Sequence, residues 1–345
     1  MSVIFTCGGT GGHLYPAIAV AQTLLNRGTP CLFLMANDRE DIAHVAHYGF
    51  DAIPIGPSRG SILTYLLSIY RAWKALKETK ATVVFCTGGK ITLAVAIAAW
   101  LRRVPVAVME QNAIPGRANR LIAKWASHVF VTFAASQRYF PNTCTLSGNP
   151  IRQHFPEDLR IKTALTEIPK NQPTILVLGG SQGAAQINTC ILDPQHAALN
   201  DFASTWIVLT GQRFATEKGL PDFDRYTVGQ RTILCMPYCE AMDQLYHAAD
   251  VVISRAGATT ISEILAFQKP AILIPYPHAK DNHQEANARA ICEETGYRWC
   301  LESQLNGDFL AETLPQLIGI TPSVPIPDAR RIIADWAECL IQKKT

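Results

Sequence analysis

Short runs of β-branched and aliphatic residues alternate along this chain with longer stretches whose apolar positions recur at helical spacing. Val3–Thr6 reads as a first strand, and Ala17, Ile18, Val20, Ala21, Leu24 and Leu25 as one face of a helix closed by Gly28. Strands at Cys31–Met35, Ala52–Ile55, Thr82–Cys86, Val104–Met109 and His128–Thr132 then alternate with helices at 61–77, 90–101 and 117–125. Polar residues follow from Pro156 to Pro173, and at Thr174–Leu178 the pattern restarts. It continues through Trp206–Thr210, Thr232–Met236, Val251–Ser254 and Ala271–Pro275. Such alternation predicts parallel sheets covered on both faces. The fold class is α/β, with two doubly wound Rossmann-like domains in tandem. Their expected bounds are 1–155 and 156–327, with a stiff proline-rich link at 321–327 leading to a last amphipathic helix in 328–345 that returns to the first domain.

Composition narrows the class. At 345 residues, 48% apolar and 17% charged, the chain is too long for one typical core and too apolar to be disordered. Its longest apolar run, Ile91–Leu101, is about half of what a bilayer span requires. The first strand begins at Ser2 with no signal-peptide pattern before it, which predicts a cytosolic protein. The ten cysteines are scattered among apolar runs, as packed free thiols are. The net charge of +3 hides an asymmetry: residues 1–155 hold 15 Lys and Arg against 6 Asp and Glu, whereas residues 156–345 hold 16 against 22. A basic half suggests an anionic partner, either a diphosphate or a lipid surface. No stripe of interleaved basic and aromatic residues speaks for nucleic acid.

Helix 61–77 is apolar almost all round, through Ile62, Leu63, Tyr65, Leu66, Leu67, Ile69, Tyr70 and Trp73, and Arg59, Arg71, Lys74 and Lys77 flank it. It is either a fully buried helix or a basic-edged patch that meets an anionic membrane.

Candidate chemistry gathers at the strand ends. Cys7-Gly-Gly-Thr-Gly-Gly-His13 follows the first strand, and its glycines let the backbone approach a ligand closely. The spacing is not the dinucleotide fingerprint. His13, crowded against glycines, is a candidate acid or base. Glu110-Gln-Asn112, Gly148-Asn-Pro-Ile-Arg152 and Gly179-Gly-Ser-Gln-Gly183 sit at further strand ends, where ligands of parallel sheets collect. The stretch Asp250–Glu263 runs strand, Gly257 turn, helix, which aims free N–H groups at a phosphate, while Glu263 could accept from a sugar's vicinal hydroxyls. Asp222-Phe-Asp224 has the spacing of a metal-binding carboxylate pair, and its setting reads as a solvated loop.

Taken together and in this order, the motifs Gly-Gly-Thr-Gly-Gly-His, Glu-Gln-Asn, Gly-Asn-Pro-Ile-Arg, Gly-Gly-Ser-Gln-Gly-Ala and Ser-Arg-Ala-Gly-Ala-Thr-Thr-Ile-Ser-Glu are specific. The chain resembles the MurG-type transferases of peptidoglycan synthesis from about residue 5 to residue 340. The resemblance implies a glycosyltransferase B fold, two domains facing across a cleft that holds the active site. It implies a metal-independent, cofactor-free transfer of N-acetylglucosamine from UDP-N-acetylglucosamine to the 4-hydroxyl of undecaprenyl-diphospho-N-acetylmuramoyl-pentapeptide, with inversion. It also implies peripheral residence at the cytoplasmic face of a bacterial plasma membrane. By position, Ser181, Gln182, Gly183 and Arg152 would meet the donor diphosphate. Ala258, Thr259 and Thr260 would meet the phosphates and sugar, with Ile261 and Ser262 in the same donor segment. Glu263 would bind the ribose, Gln284 the N-acetylglucosamine and Cys239 the uracil. Thr10, Gly11, Gly12, His13 and Asn112 would line the acceptor side, with His13 the base.

Two departures fall on that side. Met109 stands where the family usually has a histidine, and Gly88-Gly-Lys90-Ile-Thr-Leu-Ala94 replaces a Gly-Gly-Tyr-x-Ser-x-Pro pattern. The alternatives are a related enzyme that glycosylates another lipid, a catalytically silent UDP-sugar-binding protein, and a nicotinamide dehydrogenase with Asp38 as its ribose carboxylate.

Overall fold

A computed structural model describes residues 2–8, 11–57, 60–140, 144–152, 155–180, 183–322 and 324–343. The chain divides into two compact units, Met1–Gln153 with Ile326–Thr345, and His154–Pro325. Both boundaries lie two residues earlier than the sequence pattern suggests.

The first unit is built on a seven-stranded, all-parallel sheet. Its strands are β1 (Ser2–Thr6), β2 (Cys31–Ala36), β3 (Asp51–Gly56), β4 (Ala81–Cys86), β5 (Val106–Glu110), β6 (His128–Val131) and β7 (Cys144–Leu146). They lie in the order β3-β2-β1-β4-β5-β6-β7. Alternation along β1 sends Phe5 to one face and Ile4 to the other. Phe5 stacks between Phe33 and Phe85, with ring centroids 5.4 and 5.2 Å away. The helices Gly11–Asn26 and Ala329–Gln342 cover that face, and Ile62–Glu78 and Lys90–Leu101 cover the other.

The last helix therefore belongs to the first unit. Trp336 packs edge-on against Phe85 and Phe130, at centroid distances of 5.9 and 5.5 Å, and Arg27 pairs with Asp335 and Glu338. Such chain-distant packing accounts for why so late a segment shares the first core.

The second unit has its own seven strands, β8 (Thr174–Leu178), β9 (Ser204–Leu209), β10 (Asp224–Val228), β11 (Arg231–Met236), β12 (Val251–Ser254), β13 (Ala271–Leu273) and β14 (Arg298–Trp299). Their order is β10-β11-β9-β8-β12-β13-β14, parallel throughout except for β10 against β11. Asp224 thus opens an edge strand, a correction to the solvated loop expected there. The polar alternation Asp-Arg-Tyr-Thr-Val fits a strand that is solvated on one face.

Helix Ile62–Glu78 turns only Ser68, Ala72, Ala75 and Leu76 fully inward. Small residues let it lie close to its neighbour, while Ile62 (83% exposed), Leu66 (55%) and Tyr70 (61%) stay outside. The fully buried alternative is excluded. No helix among the described residues is long and apolar enough to cross a membrane.

His128 at the start of β6 contacts Thr145 through Nε2 at 2.9 Å and lies against Phe130 and Trp336. Burial holds its imidazole below the ordinary value, so the unfolded chain takes up the proton first as pH falls. Stability is therefore unaffected above about pH 6.5, the ordinary histidine value, and is lost as pH drops through it. His128→Phe is expected to shrink the fall in melting temperature between pH 7.5 and 5.5. An unchanged fall, followed by calorimetry, would remove His128 from the acid response.

Candidate active site

In the first unit the site is assembled by turns at the carboxyl ends of β1, β4 and β5. Gly8 donates its N–H to the Gly88 carbonyl at 2.7 Å. A Cβ on Gly8 would lie 2.9 Å from the Gly89 Cα, and one on Gly89 would lie 2.6 Å from the Gly8 Cα. Backbone packs on backbone, and no other residue type fits. Helix Gly11–Asn26 starts immediately afterwards, with Gly11 and Gly12 exposed at its first turn, and Thr10 lies outside the described residues.

His13 is half-buried, its ring over Gly88, where a Cβ would sit 2.7 Å from Cε1. Its Nδ1 is 3.1 Å from Oε1 of the buried Gln111. The tautomer follows from chemistry. Gln111 donates through Nε2 to the Met109 carbonyl at 2.9 Å, so its carbonyl oxygen must face the imidazole. An oxygen that only accepts requires the proton on Nδ1. His13 therefore presents an unprotonated Nε2, the atom a general base uses. Gln111 was not singled out from the sequence, since its neighbour Asn112 carried the expectation.

Glu110 holds the loop that follows β5. Its Oε1 accepts from the Asn112 N–H at 2.9 Å and from Asn112 Nδ2 at 3.3 Å. Oε2 accepts from the Gly116 N–H at 3.0 Å and from Asn119 Nδ2 at 2.8 Å. A buried carboxylate is tolerable because both oxygens are satisfied. Asn112 is half-buried and oriented by it.

The two departures separate here. Met109 is a core residue packed with Phe5, Phe85 and Phe130, so its side chain contributes to the hydrophobic centre and not to the site. Lys90 is exposed on the first turn of Lys90–Leu101, directly after Gly89. Arg152, expected on a donor diphosphate, lies in the first unit with its guanidinium 4.5 Å from the Tyr15 ring centroid.

In the second unit the turn after β8 uses the same device. A Cβ on Gly183 would fall 2.4 Å from the Thr210 carbonyl oxygen, and Gly183 has φ +78°. Ser181 and Gln182 lie outside the described residues.

Helix Ala258–Ala266 follows β12 with Gly257 as its cap, at φ −70° and without a side chain to satisfy the first-turn N–H groups. Neither backbone strain nor crowding demands glycine at 257, since a Cβ there meets only Thr260 Oγ1 at 3.7 Å. Its bareness instead leaves the helix N-terminus open to an anion. Ala258 is buried, and Thr259 and Thr260 are half-buried at this turn.

The next two expected residues turn away. Ile261 is fully buried and its N–H is spent on the Gly257 carbonyl at 2.9 Å, while Ser262 donates its hydroxyl back to the Ala258 carbonyl at 2.8 Å. Helix packing holds the Ile261 side chain, and helix hydrogen bonding uses the Ser262 hydroxyl proton. Glu263 is buried, and the fully buried Tyr246 donates its hydroxyl to Oε2 at 3.1 Å. Tyr246 in turn stacks on Phe267 at 4.9 Å. The Cys239 side chain is also buried, and burial pushes its thiol up to about 11, so any contact with a base comes from its backbone or from the exposed Tyr238.

Three segments of this unit are laced together. Arg255 donates to the carbonyls of Ile274 and Pro275, each at 3.3 Å, and pairs with Glu302. The buried Asn287 donates to the Ala256 carbonyl at 3.1 Å. Gln284 accepts the Tyr276 N–H through Oε1 at 2.9 Å, so its amide oxygen is engaged and its NH₂ is the donor end. Arg255, Asn287 and Tyr246 carry no assigned role in the sequence reading, since nothing local separates such braces from ordinary polar residues. Among the described residues no group of three or more His, Cys, Asp or Glu is arranged to hold a metal ion.

Comparison with known proteins places both units. The glycosyltransferase family 28 N-terminal domain matches residues 3–131, and the family's C-terminal domain matches residues 174–320. A UDP-N-acetylglucosamine–N-acetylmuramyl-(pentapeptide) pyrophosphoryl-undecaprenol N-acetylglucosamine transferase of Halothermothrix orenii is 38% identical, over 92% of this chain and 90% of that one. Its counterpart in Desulforamulus reducens is 36% identical over the same shares. Among solved structures, Acinetobacter baumannii MurG superposes with a TM-score of 0.76 at 24% identity, over 98% of this chain and 100% of that one. A UDP-GlcNAc 2-epimerase of Neisseria meningitidis bound to UDP-GlcNAc gives 0.70 at 14%, over 99% and 100%. These structures share the fold.

If Gln111 orients His13, Gln111→Leu should lower kcat about 10- to 100-fold, a share of the gain a positioned base supplies, while leaving KM for the donor within about twofold. Gln111→Glu should move the acid limb of the kcat profile to higher pH, because a carboxylate beside the imidazole favours its protonated form. A Leu variant with unchanged kcat would detach Gln111 from His13.

Proposed function

The chain belongs to the UDP-N-acetylglucosamine–N-acetylmuramyl-(pentapeptide) pyrophosphoryl-undecaprenol N-acetylglucosamine transferases of glycosyltransferase family 28, and on that premise we propose that it converts lipid I into lipid II. The acceptor's 4-hydroxyl oxygen attacks the anomeric carbon of the donor sugar. The bond from that carbon to UDP breaks with inversion, and the hydroxyl proton passes to Nε2 of His13. The observation that carries this reading is the His13–Gln111–Met109 chain, which leaves Nε2 as the acceptor.

In the second unit, Glu263 takes the ribose hydroxyls and Gln284 an N-acetylglucosamine hydroxyl. The uncapped helix at Gly257, with Thr259 and Thr260, meets the negative charge that grows on the departing diphosphate. Gly183 shapes the neighbouring turn, and Gly11, Gly12 and Asn112 serve the acceptor.

The test is transfer of radiolabel from UDP-N-acetylglucosamine to purified lipid I, with and without EDTA. Transfer at equal rates in both is expected. No label in lipid II, or label only in another lipid, would overturn the reading. In the same assay Glu263→Ala is expected to weaken donor binding by about 1.5–3 kcal/mol, the worth of a hydrogen bond to a charged group, and calorimetry with UDP reads it directly.

The acceptor is borne by a lipid, and the first unit carries a surface suited to reach it. Ile62, Leu63, Leu66, Leu67 and Tyr70 are exposed on one helix, and Trp100 (60% exposed) and Leu101 end its neighbour. Arg71, Lys74 and Lys77 accompany them, and Arg102 stacks over Trp73 at 4.9 Å. Trp73 itself is partly buried against the core, so it anchors the patch and does not insert. Each basic residue near an anionic surface contributes about 1 kcal/mol, and apolar insertion adds to it. The protein thus sits peripherally on the cytoplasmic leaflet. Replacing Leu63, Leu66 and Leu67 by Ser should release it from anionic vesicles and raise KM for membrane-embedded acceptor, with the melting temperature and turnover of a short-chain soluble acceptor retained. Equal loss on both acceptors together with early melting would count against the surface.

A further inference from the structure

We infer that Tyr246 is a positioning residue for Glu263, and that its hydroxyl, by fixing the carboxylate, sets a preference for a ribonucleotide donor over one lacking the ribose diol. The inference rests on the ribose contact proposed above for Glu263 and deepens it. Tyr246 lies on the helix Met242–Ala248, ahead of β12, and Glu263 on the helix Ala258–Ala266 after it. The tyrosine hydroxyl joins the two, donating to Oε2 at 3.1 Å. Its ring is locked in place. It is 0% exposed and stacks on Phe267 at 4.9 Å, with 18° between the ring planes. Phe267 meets His247 and Phe155 in edge geometry at 5.0 and 6.2 Å, and its N–H donates to the Glu263 carbonyl at 3.1 Å. The platform under the tyrosine therefore closes the same helix, one turn beyond the carboxylate that the tyrosine holds.

Chemistry separates a positioning bond from a brace. Glu263 is 7% exposed, and a carboxylate taken that far from water costs free energy that a tyrosine hydroxyl returns only in part. An apolar pair of the same shape would tie the two helices together without that penalty. A carboxylate kept here is accounted for by a ligand that needs it. The terminal torsion of a glutamate is broad, so the plane of a carboxylate without partners wanders. Vicinal hydroxyls are gripped well by a carboxylate whose plane is set in advance, since ordering it during binding subtracts from affinity. Tyr246 supplies that order through a donor whose own ring is already fixed by packing.

The experiment titrates UDP and 2′,3′-dideoxy-UDP by calorimetry into wild type, Tyr246→Phe, Glu263→Ala and the double variant Tyr246→Phe/Glu263→Ala. Wild type should bind the dideoxy analogue about 10- to 100-fold more weakly than UDP, the worth of hydrogen bonds to a charged group. Tyr246→Phe keeps the ring and its stack. It should weaken UDP about three- to tenfold and leave the dideoxy analogue within about twofold, so the ribose preference shrinks. KM for UDP-N-acetylglucosamine should rise in step. Adding Tyr246→Phe to Glu263→Ala should cost UDP nothing further, because the group it positions is gone. The ratio of the two affinities is insensitive to any unfolded fraction, which weakens both nucleotides alike. A Tyr246→Phe variant with the full ribose preference, or additive losses in the double variant, would overturn the inference; the ribose contact itself stands if Glu263→Ala abolishes the preference. A wild type indifferent to the diol would sink that contact and the inference with it. Ribose-dependent binding in the expected pattern with no label passed to lipid I would sink the proposed reaction and keep the Tyr246–Glu263 pair.

Discussion

The site in the first unit depends on one contact, the backbone of Gly8 laid against the backbone of Gly88 and Gly89. A 2.7 Å hydrogen bond closes it, and the absence of two Cβ atoms permits it. Because β1 and β4 are neighbours in the sheet, their turns emerge side by side, and only glycines let them touch. From that contact the His13 ring gains its seat over Gly88, and its edge reaches Gln111 at the end of the next strand. A side chain at 8 or 89 would push the turns apart and carry His13 away from its partner. The glycines shape the candidate site without supplying any chemistry.

Gln111 and Glu110 then show how the loop after β5 divides its work. Both are buried, and an unsatisfied buried polar group costs about 1–3 kcal/mol, more if charged. Glu110 avoids that cost through three donors from its own loop and one from Asn119 on the helix after it, which ties down the backbone from 112 to 116. Gln111 spends its amide hydrogen on Met109 and keeps its oxygen for the imidazole. A carboxylate stabilises structure and a neutral amide orients the imidazole. With their positions exchanged, a charge would face His13 and favour its protonated, unreactive form.

Strand and helix alternation made both doubly wound units legible from the sequence, because buried parallel strands write continuous apolar runs. The glycine turns were legible because residue type and place after a strand carry the signal. What escaped has a common cause. β7 and β14 are too short for any periodicity, and β10 is an edge strand whose polar alternation resembles a loop. Gln111, Tyr246, Arg255 and Asn287 act through partners many residues away, and pairing across the fold leaves no local mark. Ile261 and Ser262 show the opposite limit. They lie inside a motif-bearing helix, but its periodicity turns them inward, so proximity in sequence overstated their reach.

The same separation of roles explains helix Ile62–Glu78. Its fully inward positions are mostly small, Ser68, Ala72 and Ala75 with Leu76, so backbones approach closely, and the partly buried Ile69 and Trp73 complete the seat. Ile62, Leu63, Leu66, Leu67 and Tyr70 are left outside, where each exposed side chain forgoes on the order of 1.5–3 kcal/mol of burial. A helix whose only task was to stabilise the core would place those residues inward and the small ones out. Polar residues could replace the outer ones at little cost to folding, since they add little to the core as it stands. Large apolar side chains left outside, on the unit with the excess of basic residues, are what the lipid-surface contact proposed above would use.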